Sequence, residues 1–471
     1  MDIQIELGPG RGRRDAIYRQ IRDAILDGRL RAGDTLPPTR ELAQRLAVSR
    51  TTVSAAYDRL IAEGFLESRV GSGTFVGAGA RRDVRPAGGA PASLTPVAVW
   101  HDVPGPPHRF CEQPEFDFRT GAPDVSLFPF DTWRRLVTQQ LRRSRRDVLT
   151  YGDPEGHPAL REAIARHIGV SRAVRVTPDD VLVTNGSQQA LDLAARVLIE
   201  PGARVAVEDP GYPPPRQLFT TLGARPVGVP VDEEGIVVDH IPADCRLVYV
   251  TPSHQYPLGV PMSMARRVAL IEWARRHDAA ILEDDYDTEF RYTGRPLEPL
   301  RNLDPSGRVL YIGSFSKVLL PGLRLGFLVA PPGLRPALAK AKYLTDWHSA
   351  SVTQAALAEF MDTGEFARHL RRTRREYAAR WEVVCRVVER DFPWLRLIPS
   401  SAGLHVSALS SKPVRPVVRA ARQAGVRIST LGDFTTVPDA LDGLVFGFGA
   451  IPRERIEPGL RAFAESDRAL T

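Results

Sequence analysis

Between residues 77 and 113 the chain runs Gly-Ala-Gly-Ala-Arg-Arg, then Pro-Ala-Gly-Gly-Ala-Pro, then Val-Pro-Gly-Pro-Pro. Such a stretch has little apolar surface to bury and too many prolines for a helix interior or a central strand. It predicts a mobile linker. The 471 residues are thereby divided into a small domain over 13–76 and a large one over 114–465, each of which must build its own core.

Composition excludes several classes. With 43% hydrophobic and 25% charged residues the chain is of ordinary globular type. Cys111, Cys245 and Cys385 are far apart and show no CxxC spacing, which argues against a disulfide framework or a zinc ribbon and fits a reducing cytoplasm. Asp2 and Glu6 stand where a signal peptide needs cations. The longest apolar-looking run, 318–334, holds Arg324 and is broken by Pro321, Pro331 and Pro332, so no membrane span is expected. The formal charge of +7 is spread thinly along the chain and by itself argues little for a nucleic-acid partner.

In the small domain, Ile17, Ile21, Ala24 and Ile25 form one helix face. Thr39 is expected to cap a short helix burying Leu42, Ala43 and Leu46. Ser49 is expected to cap a third helix with Val53, Ala56, Tyr57, Leu60 and Ile61 inward, ended by Gly64. Strands around 65–69 and 74–76 flank a glycine-bearing tip, Val70-Gly71-Ser72-Gly73. Helix, helix, turn, helix and hairpin make a winged helix-turn-helix. Arg50, Thr51, Thr52 and Ser54 are expected outward at the start of the third helix, the end that enters a major groove. Arg50 suits a guanine edge, whereas Arg40 and Arg69 suit phosphates. The bland alternative is a small helical scaffold with solvated arginines.

The motifs 36–43 (LPPTRELA), 48–53 (VSRTTV) and 71–76 (GSGTFV) resemble the signature of GntR-type winged-helix regulators. The resemblance implies an operator-DNA partner, with Arg40 and Arg50 contacting DNA, support from Ser49, Thr51, Thr52 and Arg69, and the glycine-bearing wing, Gly71 and Gly73, reaching the adjacent groove.

The large domain alternates strand and helix patterns, as an α/β fold does. Val181-Leu182-Val183 leads through Thr184-Asn185-Gly186-Ser187-Gln188 into a helix, an arrangement that cradles anions but serves equally as a structural turn. Ile281-Leu282 runs into an acidic stretch, 283–285 and 287, which reads either as a solvated turn or as carboxylates placed for a pyridinium nitrogen. Lysine occurs only four times, at 317, 340, 342 and 412, which codon bias toward arginine explains. Chemistry that needs a primary amine therefore has four candidates. Lys340 and Lys342 read as helix surface and Lys412 as loop. Lys317 follows Ser314-Phe315-Ser316 and precedes Arg324, which suits pyridoxal 5′-phosphate: amine for a Schiff base, hydroxyl and guanidinium for phosphate.

Residues 115–450 resemble fold-type-I aminotransferases, and the two domains together resemble MocR-type regulators, through 208–212 (EDPGY), 251–255 (TPSHQ), 283–287 (EDDYD) and 314–317 (SFSK). That fold is a large α/β domain with a mainly parallel sheet and a small C-terminal α+β subdomain. The resemblance implies pyridoxal 5′-phosphate on Lys317. Asp284 would meet the ring nitrogen, Tyr286 the ring oxygen and Tyr212 the ring face. Gly186, Ser187, Gln188, Ser314 and Arg324 would hold the phosphate. Tyr151 would reach the neighbouring subunit's cofactor, which implies a homodimer. Two departures stand out. Tyr256-Pro257-Leu258-Gly259 replaces an Asn-Pro-x-Gly segment, leaving His254 and Gln255 nearby, and His254 either lines the pocket or is a satisfied buried histidine. No arginine lies within 443–447 to grip a substrate carboxylate, a task for which Arg216 is the remaining candidate. Together these features imply a DNA-binding regulator that senses pyridoxal phosphate or an amino compound. The alternatives are a working aminotransferase with an appended DNA-binding domain, and a large domain that only dimerises.

Overall fold

Helices Arg13–Leu26, Thr39–Arg45 and Arg50–Ala62 form the N-terminal unit with strands β1 (Thr35–Leu36), β2 (Leu66–Arg69) and β3 (Gly73–Val76). Ile17, Ile21, Leu42, Val53, Ala56 and Leu60 are fully buried, the common core that the helical periods call for. The computed structural model describes residues 5–7, 12–69, 71–77, 95–105, 114–142, 150–294, 297–437 and 440–470. Apart from Gly77 and 95–105, the segment read as a linker lies outside the described residues, as do Val70 of the wing tip and Cys111. Residues 99–102 form one short helix, and the chain divides into two units at Pro96/Val97.

β2 and β3 pair antiparallel from Leu66↔Val76 to Arg69↔Gly73. The sequence pattern did not reveal β1, which pairs with β3 and makes a three-stranded sheet. Gly71 and Gly73, at φ +78° and +111°, take left-handed backbone that the wing's turn requires and other residues resist. Ser49 caps the third helix as expected, its Oγ accepting from Thr52 N at 3.2 Å. Thr39 does not cap the second: it is the first helical residue, and the first turn closes onto the Pro38 carbonyl (Leu42 N, 3.0 Å). Ile61 is half-buried, on the edge of the stripe that Val53, Ala56, Tyr57 and Leu60 define.

The second unit is built on an eight-stranded sheet containing β5 (Val181–Thr184), β6 (Arg204–Asp209), β7 (Arg225–Asp232), β8 (Gly235–Ile236), β9 (Cys245–Val250), β10 (Ala280–Asp285), β11 (Val309–Ser314) and β12 (Gly326–Val329). β4 (Phe116–Phe118) belongs elsewhere. The order is β5-β12-β11-β10-β9-β6-β7-β8, parallel from β11 to β7, with β12 antiparallel to both its neighbours. Successive residues serve opposite faces, as a doubly covered sheet demands. Leu247, Tyr249 and Leu282 pack with helices Ser187–Leu198 and Pro213–Thr221. Val248, Val250 and Ile281 pack with helix Met264–Arg276.

A second, five-stranded sheet has the order β13 (Leu395–Leu397), β14 (His405–Ser410), β16 (Gly443–Gly447), β15 (Val426–Thr430), β4. Its strands are antiparallel except for β4, which joins β15 in parallel, so the start of the second unit is stitched to its C-terminal part. The long helix Glu365–Asp391 packs on this sheet and on the C-terminal helix Arg453–Arg468. This is the large α/β sheet and small α+β subdomain expected. No described helix is long and apolar enough to cross a membrane.

Candidate cofactor site and nucleic-acid interface

Parallel strands deliver their carboxyl ends to one edge of a sheet, where α/β folds hold ligands. Here β6 ends in Glu208-Asp209, β10 in Asp284-Asp285, and β11 in Ser314, three residues before Lys317. The Lys317 amine donates to the Gly121 carbonyl at 2.6 Å. Desolvation lowers its pKa from 10.5, against the opposing pull of Asp287 and Asp284. A lowered pKa eases release of the proton that an amine must lose to act as a nucleophile.

The acidic run is not a solvated turn. Glu283, Asp284, Asp285 and Asp287 are all buried, because each has its own task. Glu283 accepts from the backbone N–H of Leu300 and Arg301. Asp285 accepts from Arg172 Nε at 2.8 Å and Tyr311 OH at 2.5 Å. Asp287 faces His254 Nδ1 at 3.0 Å. Asp284 differs: Oδ2 accepts from Tyr249 OH at 2.9 Å, while Oδ1 is buried with no partner among the described residues. Burial pushes its pKa up to about 7. An orphaned buried acceptor is costly, and an N–H donor aimed at Oδ1 would remove the cost.

At the end of β5, Gly186 has φ +79° and opens helix Ser187–Leu198. Arg324 lies over this turn, Nη2 donating to the Asn185 carbonyl at 2.8 Å. A Cβ on Gly186 would come within 2.9 Å of that nitrogen. Free amide groups, the positive end of a helix and an exposed guanidinium thus converge on one spot, a geometry that favours an anion. Ser187 is half-buried there, whereas Gln188 is exposed and the neighbouring Gln189 braces the turn through Asn185 N. Ser314 is buried, its Oγ accepting from Ser316 N. Tyr212, half-buried at the start of helix Pro213–Thr221, has its pKa pushed up to about 12 by burial and then by Asp284.

His254 resolves toward both alternatives at once: it is buried and satisfied, yet adjoins Tyr286, whose hydroxyl donates to the His254 carbonyl at 3.0 Å. Its Nε2 meets Ser400 Oγ at 3.1 Å, and the nearby His405 is held neutral by burial. Gln255 is not free to meet a ligand. Its amide donates to the carbonyls of Pro210 (2.9 Å) and Tyr256 (2.7 Å), and its Oε1 accepts from Leu258 N. Tyr256 hydrogen-bonds Thr120 Oγ1 at 2.7 Å and meets the Tyr212 ring edge-on at 5.4 Å. Arg216 is half-buried on helix Pro213–Thr221, and among the described residues no side-chain hydrogen bond ties it to this cluster. Two positions of the arginine-free stretch 443–447 admit no side chain. A Cβ at Gly443 would lie 2.4 Å from the Ala408 carbonyl, and one at Gly447 would lie 2.1 Å from the Arg119 carbonyl.

Sequence patterns did not single out Tyr249, Gly121 or Arg172 as partners here, and marked Asp287 only as one of the acidic run. Tyr249 carried a faint signal, a hydroxyl within the apolar run 247–250, which needs a buried partner. Lys342 requires a correction. It is fully buried rather than on the helix surface, with Nζ at 2.6 Å from Asp346 Oδ1. Asp346 in turn accepts from Asn185 Nδ2 at 2.5 Å, so the pair braces the Gly186 turn from behind. Losing the cation leaves Asp346 partly buried and uncompensated. Lys342→Met is therefore expected to cost about 2 kcal/mol in urea unfolding, below the figure for a wholly buried pair. Lys340 is exposed, and Lys412 pairs with Asp467 beside the Trp394 ring. Tyr151 is 78% exposed and stacks on Trp347 at 4.6 Å.

In the N-terminal unit Arg40, Ser49, Arg50 and Thr51 are exposed. Thr52 and Ser54 are half-buried rather than outward, because the Thr52 hydroxyl turns back to Ser49 Oγ at 2.7 Å. Arg69 leans over the Phe75 ring on the wing.

Residues 13–76 match the gntR family of bacterial regulatory proteins, and residues 116–439 match aminotransferase class I and II. The chain is 38% identical to the probable rhizopine catabolism regulatory protein MocR of Rhizobium meliloti, over 96% of this chain and 93% of that protein. It is 35% identical to the pyridoxine biosynthesis transcriptional regulator PdxR of Corynebacterium glutamicum, over 92% and 91%. The crystal structure of Pyrococcus horikoshii kynurenine aminotransferase covers 75% of this chain and 90% of its own at 28% identity, with a TM-score of 0.70. A helix-turn-helix unit of one family and an aminotransferase unit of another, in this order and over nearly the full length of named regulators, place the chain among the MocR-type transcriptional regulators of the GntR superfamily.

Proposed function

We propose that the large unit holds pyridoxal 5′-phosphate as part of a sensor whose output is the DNA affinity of the winged helix. The observation that carries this reading is Asp284 Oδ1, a buried acceptor lacking a donor among the described residues, on the strand next to the one that leads to the half-buried amine of Lys317. When bound, the cofactor supplies an aldehyde for amines and a ring that withdraws electrons. Lys317 would tether it, Asp284 would accept from its ring N–H, and the Tyr286 hydroxyl would turn from the His254 carbonyl to its ring oxygen. Tyr212 covers the ring. Gly186, Ser187, Ser314 and Arg324 hold the phosphate, with Gln188 at the rim. Tyr151 serves the site of a second subunit in a homodimer, which its exposure supports.

An amino compound held in the same site would bind differently to two arrangements of the dimer and so shift DNA affinity; segment 77–113 would carry the coupling. No arginine stands within 443–447 to grip a substrate carboxylate, which disfavours ordinary amino-acid turnover. That supports sensing over catalysis, with His254 and Tyr256 lining the effector side. On DNA, Arg50 and Thr51 meet base edges from the helix N-terminus. Arg40, Arg69 and the wing glycines Gly71 and Gly73 follow the backbone, while Ser49 and Thr52 hold the helix start.

The test is spectroscopic. Added pyridoxal 5′-phosphate is expected to give a protein-bound visible band, and Arg50→Ala to leave that band intact while weakening operator binding by about 1–3 kcal/mol. A wild type without the band overturns the cofactor reading; unchanged operator affinity in the variant overturns the groove assignment. Steady conversion of an amino acid and a keto acid, abolished with Lys317, would favour the enzyme alternative.

A further inference from the structure

A groove of about 680 Å³ runs beside the first turns of helix Glu365–Asp391, where His369 meets the Val318 carbonyl. Pro129, Tyr292 and Ala378 line it together with Arg368, Arg371, Arg372, Arg374 and Arg375. Residues 368–375 thus hold five arginines and no acid. All five are exposed. Codon bias explains why these cations are arginine; it does not explain why they crowd together.

The crowding works against the helix. Positions 368 and 372, and 371 and 375, are four apart, so like charges face each other along one side. Little offsets them among the described residues. Arg368 reaches Glu365 at 2.6 Å, and Arg372 donates to the Leu127 carbonyl. Glu376, the next acid, is taken by Arg380 at 2.9 Å. No described carboxylate pairs with Arg371, Arg374 or Arg375. A ridge of unneutralised guanidinium groups, repelling one another across about two turns, suits a ligand that presents evenly spaced negative charge.

We infer that this ridge is a second DNA-binding surface, which takes the phosphodiester backbone of duplex beyond the segment read by the winged helix. Charge complementarity selects the occupant, since DNA is the polyanion that a regulator of this family already engages. Guanidinium groups suit phosphate oxygens, and bonds of this kind add affinity without sequence preference. The inference needs no cofactor.

The experiment is a salt titration of the full chain on a 60-base-pair duplex of random sequence, read by fluorescence anisotropy. Arg371→Gln, Arg374→Gln and Arg375→Gln are combined in one variant, with and without Arg40→Ala and Arg50→Ala. Every phosphate that the variant leaves unneutralised should lower the slope of log K against log salt by about 0.9, so the triple variant is expected to fall by about 2–3. The same drop is expected in the Arg40→Ala, Arg50→Ala background, because the two surfaces contribute independently. The triple substitution relieves repulsion, so its melting temperature should equal or exceed the wild type's, which separates weakened binding from failed folding. Equal slopes for wild type and triple variant overturn the inference. So does binding of inorganic pyrophosphate that the triple variant loses while its DNA slope is unchanged, which would assign the groove to a small phosphorylated ligand.

Discussion

Lys317→Ala is expected to abolish covalent retention of pyridoxal 5′-phosphate. Borohydride treatment should fix the cofactor's mass on the wild-type chain and none on the variant. Lys340 and Lys412 do not take its place in the site: the first lies on the exposed side of helix Arg335–Asp346 and the second is committed to Asp467. Lys342 is sealed in its pair with Asp346. The variant retains the Gly186–Arg324 cradle and Asp284, so free cofactor should still bind weakly without covalent attachment. DNA binding should persist but cease to respond to amino compounds. A mass adduct on the Lys317→Ala chain would sink the assignment.

Asp284→Asn is expected to change stability and cofactor affinity in opposite directions. In the wild type, burial raises this carboxyl from 3.8 to about 7. The sign follows from proton linkage. Between pH 4 and pH 7 the folded state binds more protons than the unfolded state, so stability falls as pH rises through that window. A displacement of that size corresponds to about 4 kcal/mol between pH 4 and pH 8. The cofactor-free variant should therefore lose about that much less over the same range in urea unfolding. Glu208 and Glu283, also raised to about 7 by burial, stay in place and keep some of the slope. Lys317 acts with the opposite sign, because its pKa is lowered and its share of stability grows with pH. Asparagine cannot offer the charge-assisted bond to a ring N–H, so cofactor affinity should drop about 10- to 100-fold. Identical pH slopes in wild type and variant would show that Asp284 is not a strained carboxyl.

The two predictions differ in how visible their residues are in the sequence. Lys317 stands out because only four lysines exist and one follows Ser314-Phe315-Ser316 with Arg324 close behind. Asp284 stands out only by family motif. Read locally, 283–287 looks like a wet turn, and the carboxylates become intelligible once Tyr249, Arg172, Tyr311 and His254 surround them. Those partners come from segments about 25 to more than 100 residues away, which no local pattern encodes.

Helix faces in the winged-helix unit, the strand–turn–helix at Gly186 and the cap at Ser49 were set by local chemistry: apolar spacing, a glycine with positive φ and a hydroxyl three residues before an orphan N–H. These depend on neighbours within a few residues, so the sequence alone determined them. Long-range packing decided the rest. The β1–β3 pairing, β4 joining β15, Lys342 turning inward and the crowding that leaves no space for an arginine at Gly443 all depend on elements distant in sequence. Burial reversed what polarity suggests for Lys342 and for the four acids. A charged group is drawn inside when the fold brings it a partner, and that partner is chosen by topology.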